Sequence, residues 1–206
     1  MLITLNRIRK TIFYGYEFSS NDNIIYTASV PLKLGRVEVI LSDTEKILYK
    51  LSKKCIKNES GIEVGHITRK VSKFLFGYTY YKFVLDKIEY VAYAIGFGKE
   101  GQFVTIYKDD VQVALIEVPV VIQNSKPCYS IYIKDIEDRM AVLLFSLVYD
   151  IIRFSNTDSV GYNSTLYNYT RTHNKELKSK YDSSFKINLL RSVELTKHES
   201  NIKHFD

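Results

Sequence analysis

Over much of the first 135 residues, apolar and polar positions alternate with a period of two. Val37, Val39 and Leu41 alternate with Arg36, Glu38 and Ile40; Ile24, Tyr26, Ala28 and Val30 with Ile25, Thr27 and Ser29; Tyr129, Ile131 and Ile133 with Ser130, Tyr132 and Lys134. Successive side chains of an extended strand point to opposite faces, so this spacing predicts strands with one wet face. Turn-forming residues separate the runs at Ser20-Asn-Asp-Asn23, Asp43-Thr44, Asp86-Lys87 and Asp109-Asp110. Phe13–Ala28, Val37–Leu51, Tyr81–Ile95 and Phe103–Val118 each read as strand, short polar turn, strand, which makes a weak internal repeat. No helical period intervenes. A long meander of this kind must close on itself or be covered, because open edges invite pairing with other chains.

The pattern changes after residue 135. Met140-Ala-Val-Leu-Leu-Phe-Ser-Leu-Val-Tyr149 is apolar around the whole helical circumference, with Ser146 its one polar residue. Asp135, Glu137 and Asp138 stand before it and Arg153 near its end, acids and base each at the helix terminus that favours them. A helix over 137–154 follows. Greasy on all sides, it belongs inside a protein or a membrane. Residues 140–154 span about 22 Å, short of the roughly 30 Å hydrocarbon core, so enclosure by the preceding strands is expected and no transmembrane segment. Asp150 interrupts the apolar run. It lies either at a barrel mouth, solvated or paired with a Lys or Arg, or on the floor of a small pocket.

These runs resemble the tubby C-terminal-like superfamily, which includes the LURP-one-related proteins, the phospholipid scramblases and small bacterial relatives. The resemblance is carried by Tyr78–Leu85, Ile88–Ile95, Phe103–Tyr107, Val111–Val118 and Tyr129–Ile133, followed by Met140–Phe154. It implies a mainly β fold: a closed antiparallel barrel of about twelve strands enclosing a central hydrophobic helix. The barrel is expected over residues 1–154, with 155–206 as a polar, partly ordered extension. Within that extension, 184–198 holds Phe185, Ile187, Leu189, Leu190, Val193 and Leu195, enough for a short amphipathic helix or a docking strand. The chain departs from the family in having 52 residues after the helix, and in lacking a Cys-rich palmitoylation segment and an Asp-rich calcium loop.

Composition adds three constraints. Tyr (17) and Phe (11) are abundant while Trp is absent, which favours pleated surfaces. Two cysteines, Cys55 and Cys128, are too few for a disulfide framework and read as free thiols in a reducing compartment, expected to be the cytoplasm. Residues 1–10 show no signal-peptide pattern. The net charge of +6 is unevenly spread: residues 1–77 hold 13 Lys/Arg against 7 Asp/Glu, whereas 78–154 hold 8 against 10. Lys50, Lys53, Lys54, Lys57, Arg69, Lys70 and Lys73 form the candidate surface for anionic lipid headgroups, with a solvated polar face as the alternative.

No pattern of catalytic chemistry stands beside this. Gly96-Phe-Gly98-Lys-Glu-Gly101 formally matches G-x-G-x-x-G, but a dinucleotide site needs a helix after it, and Gln102–Tyr107 reads as a strand. Kinase motifs are also missing, so a hairpin loop is expected there. The four histidines lack metal-ligand spacing, and no nucleophile elbow occurs. No catalytic residue, metal or cofactor is expected. The basic stretch lacks interleaved aromatics and a reading helix, which argues against nucleic acid. What remains is a non-enzymatic binding module that meets anionic phospholipid at a membrane surface, or alternatively a protein-interaction scaffold using the barrel or the extension.

Overall fold

The computed structural model describes residues 1–9, 14–30, 32–33, 36–43, 46–52, 55–73, 77–97, 101–118, 128–154 and 174–192. Its strands are β1 (Leu2–Arg9), β2 (Tyr14–Ser20), β3 (Asn23–Val30), β4 (Leu32–Lys33), β5 (Arg36–Ser42), β6 (Ile47–Ser52) and β7 (Cys55–Asn58). They continue as β8 (Glu63–Val71), β9 (Thr79–Leu85), β10 (Ile88–Gly96), β11 (Gln102–Lys108), β12 (Val111–Val118) and β13 (Cys128–Ile133). A single 3₁₀ turn at Ile136–Asp138 leads into α1 (Arg139–Phe154). Beyond it lie α2 (Lys175–Lys178) and a further helix, α3, over residues 184–192.

The strands run as an antiparallel meander from β5 to β13, β13 pairs with β1, and β1–β2–β3 returns to β5. β4 is a two-residue ladder on β5, so twelve strands form the closed ring. An all-antiparallel ring requires an even number, and closure removes every edge. Short sequence-local connections do most of the work. Asn21-Asp22, Asp86-Lys87 and Asp109-Asp110 each have positive φ at both central residues and join directly paired strands. Those are type I′ turns, whose twist matches that of the flanking strands. Bulges after Phe18, Leu41, Ile56 and Ile106 supply the bends that curve a sheet into a barrel. Gly65 permits a close approach of β8 to β9: a Cβ there would lie 2.1 Å from the Val84 carbonyl oxygen.

Period two decides what faces inward. On β9, Tyr81, Phe83 and Leu85 are buried and their neighbours less so; on β10 the inward set is Tyr90, Ala92 and Ala94 and on β13 Tyr129, Ile131 and Ile133, while Ile95 and Tyr132 are buried on the other face. One apolar cluster joins side chains from all twelve ring strands, among them Leu5, Phe18, Ala28, Leu41, Leu51, Ile56 and Ile67, to Ala141–Phe145 and Leu147–Tyr149 of α1. Phe145 stacks on Phe83 of β9 (centroids 5.0 Å apart) and meets Tyr81 edge-on. On the far arc of the ring, the Arg139 guanidinium lies 5.4 Å from the ring centre of Tyr26 on β3. Ser146 returns its hydroxyl to the Val142 carbonyl at 2.7 Å, which satisfies the one polar group in the run. Each fully buried Leu or Phe of α1 contributes about 1.5–3 kcal/mol of transfer free energy.

The G-x-G-x-x-G segment falls between β10 and β11, which pair antiparallel up to Gly96↔Gln102, with the Phe97 N–H bonded to the Gly101 carbonyl. It is a hairpin connection, as the strand reading of Gln102–Tyr107 requires.

Candidate functional site

Two carboxylates tie α1 to the barrel. Asp150 is wholly buried. Its Oδ2 accepts from the Tyr16 hydroxyl of β2 at 2.7 Å and faces Arg7 Nε of β1 at 3.6 Å, while its Oδ1 accepts from the Tyr129 hydroxyl of β13. Of the two placements expected for Asp150, pairing with a basic residue is found, but solvation is not: the charge is compensated internally, as a buried ion must be. Burial, reinforced by the Asp150 charge, pushes the Tyr16 and Tyr129 phenols far above their ordinary value of 10.0. At the other end, Asp138 is also buried rather than serving as a simple helix-start acid. It accepts from the Tyr90 hydroxyl at 2.9 Å and from Lys108 Nζ at 2.7 Å, and that hydrogen bond holds the Lys108 ammonium above its ordinary value. These networks fix the register of the helix against β1, β2, β10, β11 and β13. They pair both buried carboxylates with a cation and with phenols, while Asp138 Oδ2 accepts no hydrogen bond among the described residues.

The basic residues singled out from the sequence divide. Leu51 and Ile56 pair directly and point inward, so their neighbours Lys50 and Lys57, also directly paired, stand side by side on the outer surface of β6 and β7. Glu63 on β8 pairs with Lys57 on the other side. Arg69 and Lys70 lie toward the opposite end of β8, about 20 and 23 Å from the Glu63 level at about 3.3 Å per residue. Arg69 Nη2 donates to Thr79 Oγ1 at 3.3 Å. Lys73 is exposed but engaged, 3.2 Å from Glu176 of α2. Lys53 and Lys54 lie outside the described residues. The structure thus brings Lys50 and Lys57 together, and separates them from Arg69, Lys70 and Lys73.

A third feature was read only in part from the sequence, which offered 184–198 as a short amphipathic helix or a docking strand; the helix covers 184–192, and 193–198 lie outside the described residues. Residues 174–192 lie against the outer face of β9–β13, where the strands carry aromatics on their second face as well: Tyr80, Tyr93, Phe103, Tyr107 and Tyr132. Asn174 caps α2 by accepting from the Leu177 N–H, and Leu177 is buried against Tyr78 and Ile95. Glu176 receives the Tyr78 hydroxyl at 3.1 Å and Lys73; these hydrogen bonds, the Lys73 one foremost, lower the Glu176 carboxyl, while burial and Glu176 raise the Tyr78 phenol to about 12. Lys186 bridges to Glu117 at 2.8 Å and lies over the Tyr132 ring, and Leu189 is buried beside Leu115 and Tyr132. Between this segment and the barrel, Glu89, Val91, Tyr93, Tyr107, Asp109, Asp110 and Lys180 line a groove of about 420 Å³. Beside the apolar positions of 184–198, the signal for where this segment docks was a β9–β11 pattern with aromatics at both parities, such as Tyr80-Tyr81.

Among the described residues no group of His, Cys, Asp and Glu could hold a metal ion, and no helix is long and apolar enough to cross a membrane. Cys55 and Cys128 are free, with burial raising both thiols. No family model, curated protein or solved structure matches the chain.

Proposed function

We propose that the chain is a non-enzymatic binding module of tubby-like architecture, in which α1 is the central helix and the outer face of β6 and β7 meets anionic phospholipid headgroups at a cytoplasmic membrane surface. The central placement is supported by the single cluster that joins α1 to all twelve ring strands. The lipid reading rests on one observation: Lys50 and Lys57 are directly opposed across two strands and have no ion pair among the described residues. Glu63 stands opposite Lys57 on its other side, but Lys50 and Lys57 still face each other as like charges, and an external anion would relieve that repulsion. The outward lysines are opposite to the pattern of a membrane-spanning barrel, which is apolar outside, and this favours a module that touches a bilayer from water.

Co-sedimentation with phosphatidylcholine vesicles, with and without phosphatidylserine, tests this. At about 1 kcal/mol per lysine near an anionic surface, K50A/K57A is expected to weaken binding about 30-fold. Equal binding to neutral and anionic vesicles, or an unaffected double variant, overturns it.

A second reading, a protein-interaction scaffold, is favoured by α3. Its Leu189 is buried on the barrel while Ile187 (52% exposed) and Leu190 (39%) face solvent. An apolar outer face on a docked helix suits a partner's groove. Proteins captured by the wild-type chain should be lost from I187E/L190E; an unchanged set would remove this reading.

A further inference from the structure

We propose that the groove at Tyr93 and Tyr107 is a binding site for a small alkylated ammonium ion, held in this structure by the chain's own Lys180. Tyr93 of β10 and Tyr107 of β11 are diagonal neighbours on the outer face, since Tyr93 pairs with Thr105 and Tyr107 with Val91. Their rings meet at 81° with centroids 5.8 Å apart, two walls of a corner, and Tyr80 stacks behind Tyr93 at 5.9 Å. The Lys180 ammonium lies 5.4 Å from the Tyr93 ring centre and 6.0 Å from that of Tyr107. A cation within about 6 Å of an aromatic face is attracted by the ring quadrupole. The corner therefore already performs the recognition, with a tethered ligand in it.

The rim has the matching charge. Glu89, Asp109 and Asp110 line the same groove. Glu89 is engaged by Lys82 at 2.7 Å, but Asp109 and Asp110 form no ion pair or hydrogen bond among the described residues. With Glu89 balanced by Lys82, Asp109 and Asp110 against the single Lys180 still leave the groove net negative, and its volume of about 420 Å³ leaves room beside Lys180. A hard divalent ion would want a shell of six or more oxygens in place of ring faces. An alkylated ammonium is less tightly hydrated and loses less on entering an aromatic corner.

Lys180 is positioned as a competitor. The Tyr107 hydroxyl donates to the Lys180 carbonyl at 3.0 Å, and Leu177 and Glu176 anchor the preceding turn, so the ammonium is presented at high local concentration. This site lies on β10–β11 and has the opposite charge to the Lys50–Lys57 face, so it stands or falls independently of the lipid reading.

Choline is the probe, and the upfield ring-current shift of its methyl proton resonance, followed by titration, is the readout on the full chain. K180A is expected to bind choline at least about tenfold more tightly than the wild type, because the tethered competitor is gone. In the K180A background, Y107F should retain binding, Y107A should abolish it, and D109N/D110N should weaken it several-fold; Asn suits the left-handed turn, so that variant keeps the fold. The uncharged tert-butyl analogue of choline should bind at least tenfold more weakly than choline. The proposal is overturned if K180A binds no better than wild type, if the neutral analogue binds equally, or if D109N/D110N has no effect.

Discussion

Asp150, within the apolar helix, and Asp138, in the 3₁₀ turn before it, illustrate how a carboxylate can be buried without opening a pocket. Each carboxylate collects phenolic hydroxyls and one cation from strands far away in sequence: Tyr16, Tyr129 and Arg7 for Asp150, Tyr90 and Lys108 for Asp138. Removing one partner of a buried pair strands the other charge, which costs more than the pair itself contributes. D150A should therefore lower the unfolding free energy by about 3–5 kcal/mol, since the buried Arg7 loses its carboxylate. D150N, which keeps acceptor capacity for Tyr16 or Tyr129, should cost less. Urea unfolding of the two variants checks the order, and a D150A chain as stable as wild type would place the Arg7–Asp150 contact outside the energetics of the fold.

At the level of elements, the three two-residue turns are the clearest case of local chemistry specifying architecture. Type I′ turns need positive φ at both central positions, and Asn-Gly meets that need at least strain. This chain uses Asn21-Asp22, Asp86-Lys87 and Asp109-Asp110, and Lys87 at φ 70° is the residue least suited to its conformation. D86N/K87G should raise stability by about 1 kcal/mol, or about 2–4 °C in Tm for a chain of this size. Thermal melts by circular dichroism decide it; a lower Tm would mean that the exposed Asp86 or Lys87 side chain has a stabilising contact. α1 belongs to the same scale. Its Ser146–Val142 bond and apolar circumference make it a helix that can only be stable when enclosed.

Among the described residues the molecule is a closed ring of strands that shares one apolar cluster with α1 and is partly covered outside by residues 174–192. Tyrosines run through all three layers, and this shapes its response to alkali. Tyr16, Tyr129 and Tyr90 are buried phenols raised above 10.0 by desolvation first and then by Asp150 or Asp138. A folded-state value above the unfolded one stabilises fully below pH 10 and is lost as pH rises beyond it. The tyrosinate absorbance of this buried set should accordingly develop only above pH 10, together with loss of the far-ultraviolet β signal. Ionisation of every tyrosine in one phase near 10, with the fold intact, would contradict the buried networks.

Much of this was legible in the residues themselves. Alternation in runs such as Tyr129–Ile133 reported which side chains face inward, since the strand period depends only on backbone geometry. Turn pairs such as Asp86-Lys87 marked the hairpins, and the uninterrupted grease of Met140–Tyr149 required enclosure. All of these are local properties, set by a residue and its near neighbours. What tertiary structure alone decided were the meetings of distant residues: the closure of β13 on β1 and β3 on β5, and the convergence of Arg7, Tyr16 and Tyr129 on Asp150. It also decided the division of the basic residues between the two ends of β8, and the seating of Lys180 against Tyr93 and Tyr107. Such meetings depend on ring closure and on the path of the chain after α1. No periodicity encodes them, because the partners lie as far apart in the chain as Arg7 and Asp150 and share no local signal.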